Sequence, residues 1–267
     1  MGHQRLGSIP TTRKFRQVVA YIEGESRGVG GAALSDDVNN TARRALNATQ
    51  AGLTAAKSDY GLRYSFYLLT QLVLAMRQSD WPRRLQLLGI NVAHPATVFE
   101  LCVQVQGVID DHVRQFARHT DVSEMAMHAV GEALSSLAAP DAATLFGSGP
   151  DELQCAVRAL STKEGFARLG QKFFSQFVAR YLNFFLSRAT AANVGGRRIH
   201  QLGDLCEFNE ALRLHCEQSA LIVRDFCGDW YSKTEFKEGI TIENTSRFMA
   251  VAMKKLSDEL KRQSAGT

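Results

Sequence analysis

The feature that most constrains the fold is the spacing of apolar residues, which follows the period of an α-helix along nearly the whole chain. The clearest segment is the Phe-rich stretch 166–185, where large apolar side chains recur at intervals of three and four residues. The alternation typical of strands is nearly absent, and the best strand candidate, residues 18–22, fits helical spacing equally well. The sequence therefore predicts an all-α protein, a compact multi-helix bundle of roughly nine to ten helices.

Capping residues mark where several of these helices begin. Asp59 is expected to cap a central helix over residues 60–78, because that segment is apolar nearly all round. The motif Asp121-Val-Ser-Glu predicts a second start, with Asp121 or Ser123 as the cap. Thr241 is expected to cap the last helix.

The chain has 267 residues, which is enough for one or two domains. The Gly-Ser-Gly-Pro run at 147–150 is the best candidate for a boundary, and it would separate an N-terminal helical region (residues 1–146) from a C-terminal helical region (residues 151–267). Because the apolar helices on both sides can close one core, we predict a single helical unit over residues 1–267.

Composition excludes several classes of protein. Hydrophobic residues make up 45% and charged residues 22% of the chain, values that exclude a disordered protein. The longest apolar uncharged run, residues 64–76, is shorter than the roughly 20 residues that a membrane span needs. Five cysteines are widely spaced, an odd number that does not indicate a disulfide framework. We therefore expect a cytoplasmic protein without a membrane span.

The N-terminal segment is basic. Residues 1–22 contain Arg5, Arg13, Lys14 and Arg16 and no acidic residue, so that they carry a charge equal to the +4 of the whole chain. Such an arm is suited to an acidic protein surface or to phosphates, and we predict Arg13, Lys14 and Arg16 as partner-binding residues. The alternative is a solvated leader to the first helix.

The segment 229–236 is the densest group of unusual residues. It follows a predicted helix over 204–226 and is predicted as a loop, in which Trp230, Tyr231, Lys233 and Phe236 bind a partner. In the alternative, Trp230 and Phe236 plug the end of the bundle and Tyr231 is hydrogen-bonded. The partner-binding hypothesis predicts that Trp230→Ala weakens binding and leaves the melting temperature nearly unchanged.

Signals for chemistry are weak. The pattern G-x-G-x-x-A at 28–33 lacks the surrounding sheet of a dinucleotide site, which favours an interhelical loop. Carboxylates and imidazoles over 110–128, and cysteines over 206–227 with His215, are candidates for a metal- or thiol-dependent enzyme. Their spacing matches neither a di-iron nor a zinc pattern, so surface pairs and core cysteines are the simpler interpretation. We predict no catalytic residue, no metal ligand and no cofactor.

Three stretches carry a resemblance: RLGSIPTTRKFRQVV at 5–19, TDVSEMA at 120–126, and WYSKTEF at 230–236 followed by GIT. On these, the chain resembles a family of uncharacterised bacterial all-helical proteins of similar length. That resemblance, which extends over nearly the whole chain, implies an association with anti-phage defence neighbourhoods, near accessory proteins of the Qat type. It transfers no catalytic residue.

The leading hypothesis is therefore a non-catalytic accessory or scaffold protein of a bacterial multi-protein, defence-related system, acting through protein–protein contacts. One alternative is a nucleic-acid-binding helical protein that uses the basic arm and the C-terminal helix. Another is a helical metal- or thiol-dependent enzyme.

Overall fold

A computed structural model describes residues 20, 22, 41, 44, 45, 52–91, 97–142, 150–192, 199 and 202–265. Within these ranges no β-strand occurs, and nine helices have defined bounds, which confirms the all-α prediction. The helices are α1 (Tyr60–Ala75), α2 (Trp81–Leu87), α3 (Val98–Phe116), α4 (Asp121–Ala142), α5 (Pro150–Ala159), α6 (Lys163–Ala192), α7 (Leu202–Ser219), α8 (Leu221–Lys237) and α9 (Ile242–Ala265). None of these helices combines the length and the apolar character that a bilayer crossing requires.

The start of α1 is linked to the start of α4. Asp59 caps α1 as predicted, since its Oδ1 accepts a hydrogen bond from the Leu62 N–H at 2.9 Å. The cap of α4 is Thr120, so the prediction of Asp121 or Ser123 is wrong. Thr120 and Ser123 bond reciprocally, each hydroxyl accepting from the other's backbone N–H at 3.0 Å. The Thr120 hydroxyl also donates to Asp59 Oδ2 at 2.7 Å, which holds the two helix starts together.

The core is aromatic and centres on α1 and α6. Phe66 on α1 is fully buried, and aromatic side chains from α6, α8 and α9 pack around it. Its aromatic neighbours are Phe166, Phe173, Phe174, Trp230 and Phe248. Helix α6 packs against α4, α7 and α8, while α1 packs against α4 and α9. Helices from both sides of residues 147–150 therefore share buried contacts.

Three features fix the turn between α8 and α9: a helix cap, a glycine conformation and an ion pair. Thr241 caps α9 as predicted, because its hydroxyl accepts from the Asn244 N–H at 3.3 Å and Asn244 Oδ1 accepts from the Thr241 N–H at 2.9 Å. Gly239 has a φ of +76°, a conformation that favours glycine and ends α8. Arg77, just after α1, binds both carboxylate oxygens of Glu235 at 2.6 and 2.7 Å. These contacts set the orientation of the C-terminal half of α8.

Candidate functional site

The segment predicted as a partner-binding loop is helical. The single helix expected over 204–226 is instead two helices, α7 and α8, which meet at Ala220. Residues 229–236 belong to α8, so the loop prediction is wrong. The buried side of α8 carries Val223, Cys227, Tyr231 and Thr234, spaced by three or four residues as on one face of a helix. This helical spacing in the sequence could have predicted the helix. The loop was predicted instead because the segment contains several large aromatic residues.

Tyr231 is part of the core. Its side chain is 1% exposed, and its ring stacks on Phe166 with centroids 4.0 Å apart. Burial, together with the nearby Glu235 carboxylate, raises the pKa of Tyr231 to about 12. Because its ring faces the interior, Tyr231 offers no surface to a partner, in contrast to the prediction.

Trp230 lies between the core and the surface. It is partly buried, and its ring stacks on Phe248 of α9 with centroids 4.2 Å apart. It also lies 6.2 Å from the ring of Phe66 and 6.4 Å from that of Phe166. The plug interpretation therefore fits Trp230, while Phe236, which is 91% exposed, plugs nothing.

These contacts change the result expected for Trp230→Ala. Removing the ring takes away its packing on three aromatic residues, so we expect the free energy of unfolding to fall by about 2 kcal/mol. In a chain of this size that loss lowers Tm by about 4–8 °C. Thermal denaturation followed by circular dichroism measures this shift. Trp230→Phe keeps a ring on Phe248 and should recover most of the loss. An unchanged Tm for Trp230→Ala would contradict this packing role.

A groove with an aromatic floor separates α8 from α9. It has a volume of about 450 Å³, and we call it the aromatic groove. Phe226, Trp230 and Phe248 form its floor, and Lys233, Arg247 and Val251 lie along its rim. The Lys255 ammonium sits 4.8 Å from the centroid of the Phe226 ring, a cation–π distance. This site thus offers flat apolar surface with charged groups at its edge.

The outer face of α8 runs beside the aromatic groove and is polarised in charge. Asp225 and Asp229 lie in the N-terminal half of the helix, and Lys233 and Lys237 in the C-terminal half. Asp229 pairs with Lys163 of α6 and, at 3.4 Å, with Lys233. These two lysines lower the pKa of Asp229. Phe236 protrudes from this face at its C-terminal end.

Two of the sequence predictions concern residues outside the described ranges. They are the basic arm with Arg13, Lys14 and Arg16, and the glycine pattern at 28–33. In the C-terminal helix, Lys254 and Lys255 are exposed on α9, and the acidic residues Asp258 and Glu259 follow them one turn later.

The imidazoles and carboxylates over 110–128 do not form one cluster. His112 stacks on Tyr64 with centroids 3.6 Å apart, and its Nε2 is 2.8 Å from the Tyr60 hydroxyl. Burial lowers the pKa of His112, which favours the neutral form of the ring. Asp110 instead pairs with His119, at 2.7 Å. Across the described part of the chain, no group of three or more His, Cys, Asp and Glu side chains could hold a metal ion.

A second groove, of about 870 Å³, lies between α4, α6 and α7 and brings together residues from both candidate clusters. Glu124, His128 and Cys206 line it, with the carboxylate of Glu124 4.0 Å from His128 Nε2. Its two arginines are already bound to carboxylates. Arg180 pairs with Glu132, and Arg213 holds Glu210 and Glu217 at 2.6 to 2.8 Å.

The remaining cysteines over 206–227 are core residues. Cys216 and Cys227 are fully buried, and burial raises the pKa of Cys216 to about 12 and that of Cys227 further. A thiol with a raised pKa is protonated at neutral pH and is a poor nucleophile. The interpretation of these two cysteines as small apolar groups fits their positions.

Comparisons with protein-family models, with curated proteins and with solved structures find no match to this chain. The association with defence neighbourhoods, which the resemblance implies, stays a prediction.

Proposed function

We propose that this chain is a non-catalytic accessory protein that binds another protein through the outer face of α8 and the adjoining aromatic groove. The observation that carries the proposal is the position of Phe236. A phenylalanine that is 91% exposed stands on a charged helix face, beside a groove whose floor is made of three aromatic rings. Aromatic residues are enriched at protein interfaces and among the residues that contribute most to binding.

The energetics of Phe236 support a role in binding. Covering an exposed phenylalanine with a partner contributes about 1.5–3 kcal/mol from the apolar area removed from water. Within the protein the same ring contributes little, because it leaves most of its surface in solvent. A contact with a partner would therefore give this solvent-facing ring a role that it does not have in folding.

The partner in this proposal is another protein of a bacterial multi-protein, defence-related system, and it is the resemblance that supports this element of the proposal. Nucleic-acid binding through the basic arm and α9 stays an alternative, as does a metal- or thiol-dependent enzyme built on the groove between α4, α6 and α7. For neither alternative do the described residues give an observation comparable to the exposure of Phe236.

The proposal predicts that Phe236→Asp abolishes capture of the partner. A tagged protein recovered from its native host with nuclease present should bring down a stoichiometric partner, and Phe236→Asp should reduce that partner by about tenfold or more. Tm should stay within about 2 °C, since the side chain is on the surface. Mass spectrometry of the captured material gives the readout.

The matched control is Phe99→Asp, the same substitution on α3 at a phenylalanine that is 78% exposed. It should leave capture unchanged. If Phe236→Asp retains the partner, or if both variants lose it equally, the outer face of α8 is not the binding surface.

A further inference from the structure

The outer face of α8 is complementary to itself. Its N-terminal half carries Asp225 and Asp229, and its C-terminal half carries Lys233 and Lys237. Its two ends are apolar, with Leu221 39% exposed at the first position and Phe236 91% exposed near the last. The face thus carries both opposite charges and apolar side chains, which are the groups that two packed helices can bring into contact.

Only one relative direction uses this arrangement. Two copies of α8 side by side in the same direction would place acid against acid and lysine against lysine, a repulsive arrangement. In the opposite direction, the acidic half of one helix lies on the basic half of the other. When Asp225 of one copy lies opposite Lys237 of the other, Phe236 lies opposite residue 226, in the N-terminal half of the neighbouring helix. The contacts repeat about a two-fold axis, as in an isologous interface.

We propose that a second copy of this chain binds along the outer face of α8 in antiparallel orientation, with the two-fold axis near position 231, so that Asp225 faces Lys237 and Asp229 faces Lys233. The inference rests on the proposed function in that it uses the same face, and it identifies one occupant of that face as an identical chain.

The charges that form pairs across the axis are those without pairs inside the protein. Asp229 is held by Lys163 and Lys233. Asp225 and Lys237 are exposed, and neither has an ion-pair partner among the described residues. They lie 12 residues apart, a separation of about 18 Å along the axis of a helix. In an antiparallel pair, both ends of this span meet the opposite charge of the neighbour at the same time.

The size of the contact indicates a weak dimer. Helix α8 has 17 residues and is therefore about 25 Å long. One pair of such helices covers less than the roughly 800 Å² per partner of a standard stable interface. The dimer should accordingly form at high protein concentration and dissociate on dilution.

The test is a charge exchange followed by sedimentation velocity. Asp225→Lys alone sets lysine against Lys237 of the neighbour, and Lys237→Glu alone sets glutamate against Asp225. Each variant should therefore weaken the dimer by about tenfold or more. A one-to-one mixture should restore it, because the new lysine of one chain faces the new glutamate of the other. Asp111→Lys is the matched control: the same change at an exposed position on α3, it should leave the dimer unchanged.

Three outcomes would overturn the inference: a wild-type chain that is monomeric at every concentration, single variants that still dimerise, or a mixture that stays monomeric. A monomeric wild type whose captured partner is lost in Phe236→Asp refutes self-pairing and leaves the proposed function standing. A dimer that follows the charge exchange, with no other protein captured, supports self-pairing and refutes the accessory function.

Discussion

Phe166→Ala is expected to lower the free energy of unfolding by about 3–5 kcal/mol. Phe166 is fully buried at the start of α6, where its ring stacks on Tyr231 with centroids 4.0 Å apart and contacts Phe66 of α1 at 5.9 Å. It therefore joins α1, α6 and α8. The substitution removes the apolar area of the ring and leaves a cavity between three helices that cannot all move inwards.

Phe236→Ala is the matched control for that measurement, because it deletes the same ring from the exposed side of α8. We expect it to change stability by less than about 0.5 kcal/mol. Urea denaturation followed by circular dichroism gives both values, with the slope of the transition as a check on two-state behaviour. Equal losses for the two variants would mean that Phe166 does not hold these helices together.

The sequence was sufficient to predict the fold class, because burial of a helix requires apolar residues every three to four positions and this chain repeats that spacing throughout. The cap of α1 by Asp59 and that of α9 by Thr241 were predictable for a similar reason. Each cap satisfies backbone N–H groups a few residues away in sequence, so a short motif contains all the information.

The start of α4 shows the limit of such local patterns. Thr120, Asp121 and Ser123 are all common capping residues, and the sequence does not rank them. The structure places the Thr120 hydroxyl within 2.7 Å of Asp59, a residue 61 positions away. A contact of that separation is set by the packing of α1 on α4, which no local pattern contains.

The candidate site was predicted incompletely for the same reason. Trp230, Lys233 and Phe236 were singled out from their residue types, but whether each ring is buried depends on where α6 and α9 lie. Trp230 meets Phe248, 18 residues further on, and Tyr231 meets Phe166, 65 residues earlier. Phe236, without either contact, remains on the surface. Residue type identified the segment, and tertiary packing divided it between core and surface.

Gly165→Ala is expected to lower the free energy of unfolding by about 3 kcal/mol. Gly165 lies in the first turn of α6, where its N–H donates to the Thr162 hydroxyl at 3.0 Å. A Cβ at this position would lie 2.8 Å from the Cα of Leu160 and closer still to the carbonyl oxygen of Ala159. Both are backbone atoms, one at the end of α5 and one in the connection to α6, so the clash cannot be relieved by a side-chain rotation. The connection or the start of α6 must shift instead.

Gly107→Ala makes the identical change on α3, where a Cβ would meet no atom within 4 Å. There the substitution should stabilise the protein by about 0.5–1 kcal/mol, because alanine loses less conformational entropy than glycine when it enters a helix. The two variants therefore differ in the sign of their effect as well as in its size, and a single series of urea denaturation curves compares them. A neutral Gly165→Ala would show that the α5–α6 connection yields without cost. A destabilising Gly107→Ala would show that something covers the exposed face of α3 closely enough to exclude a methyl group.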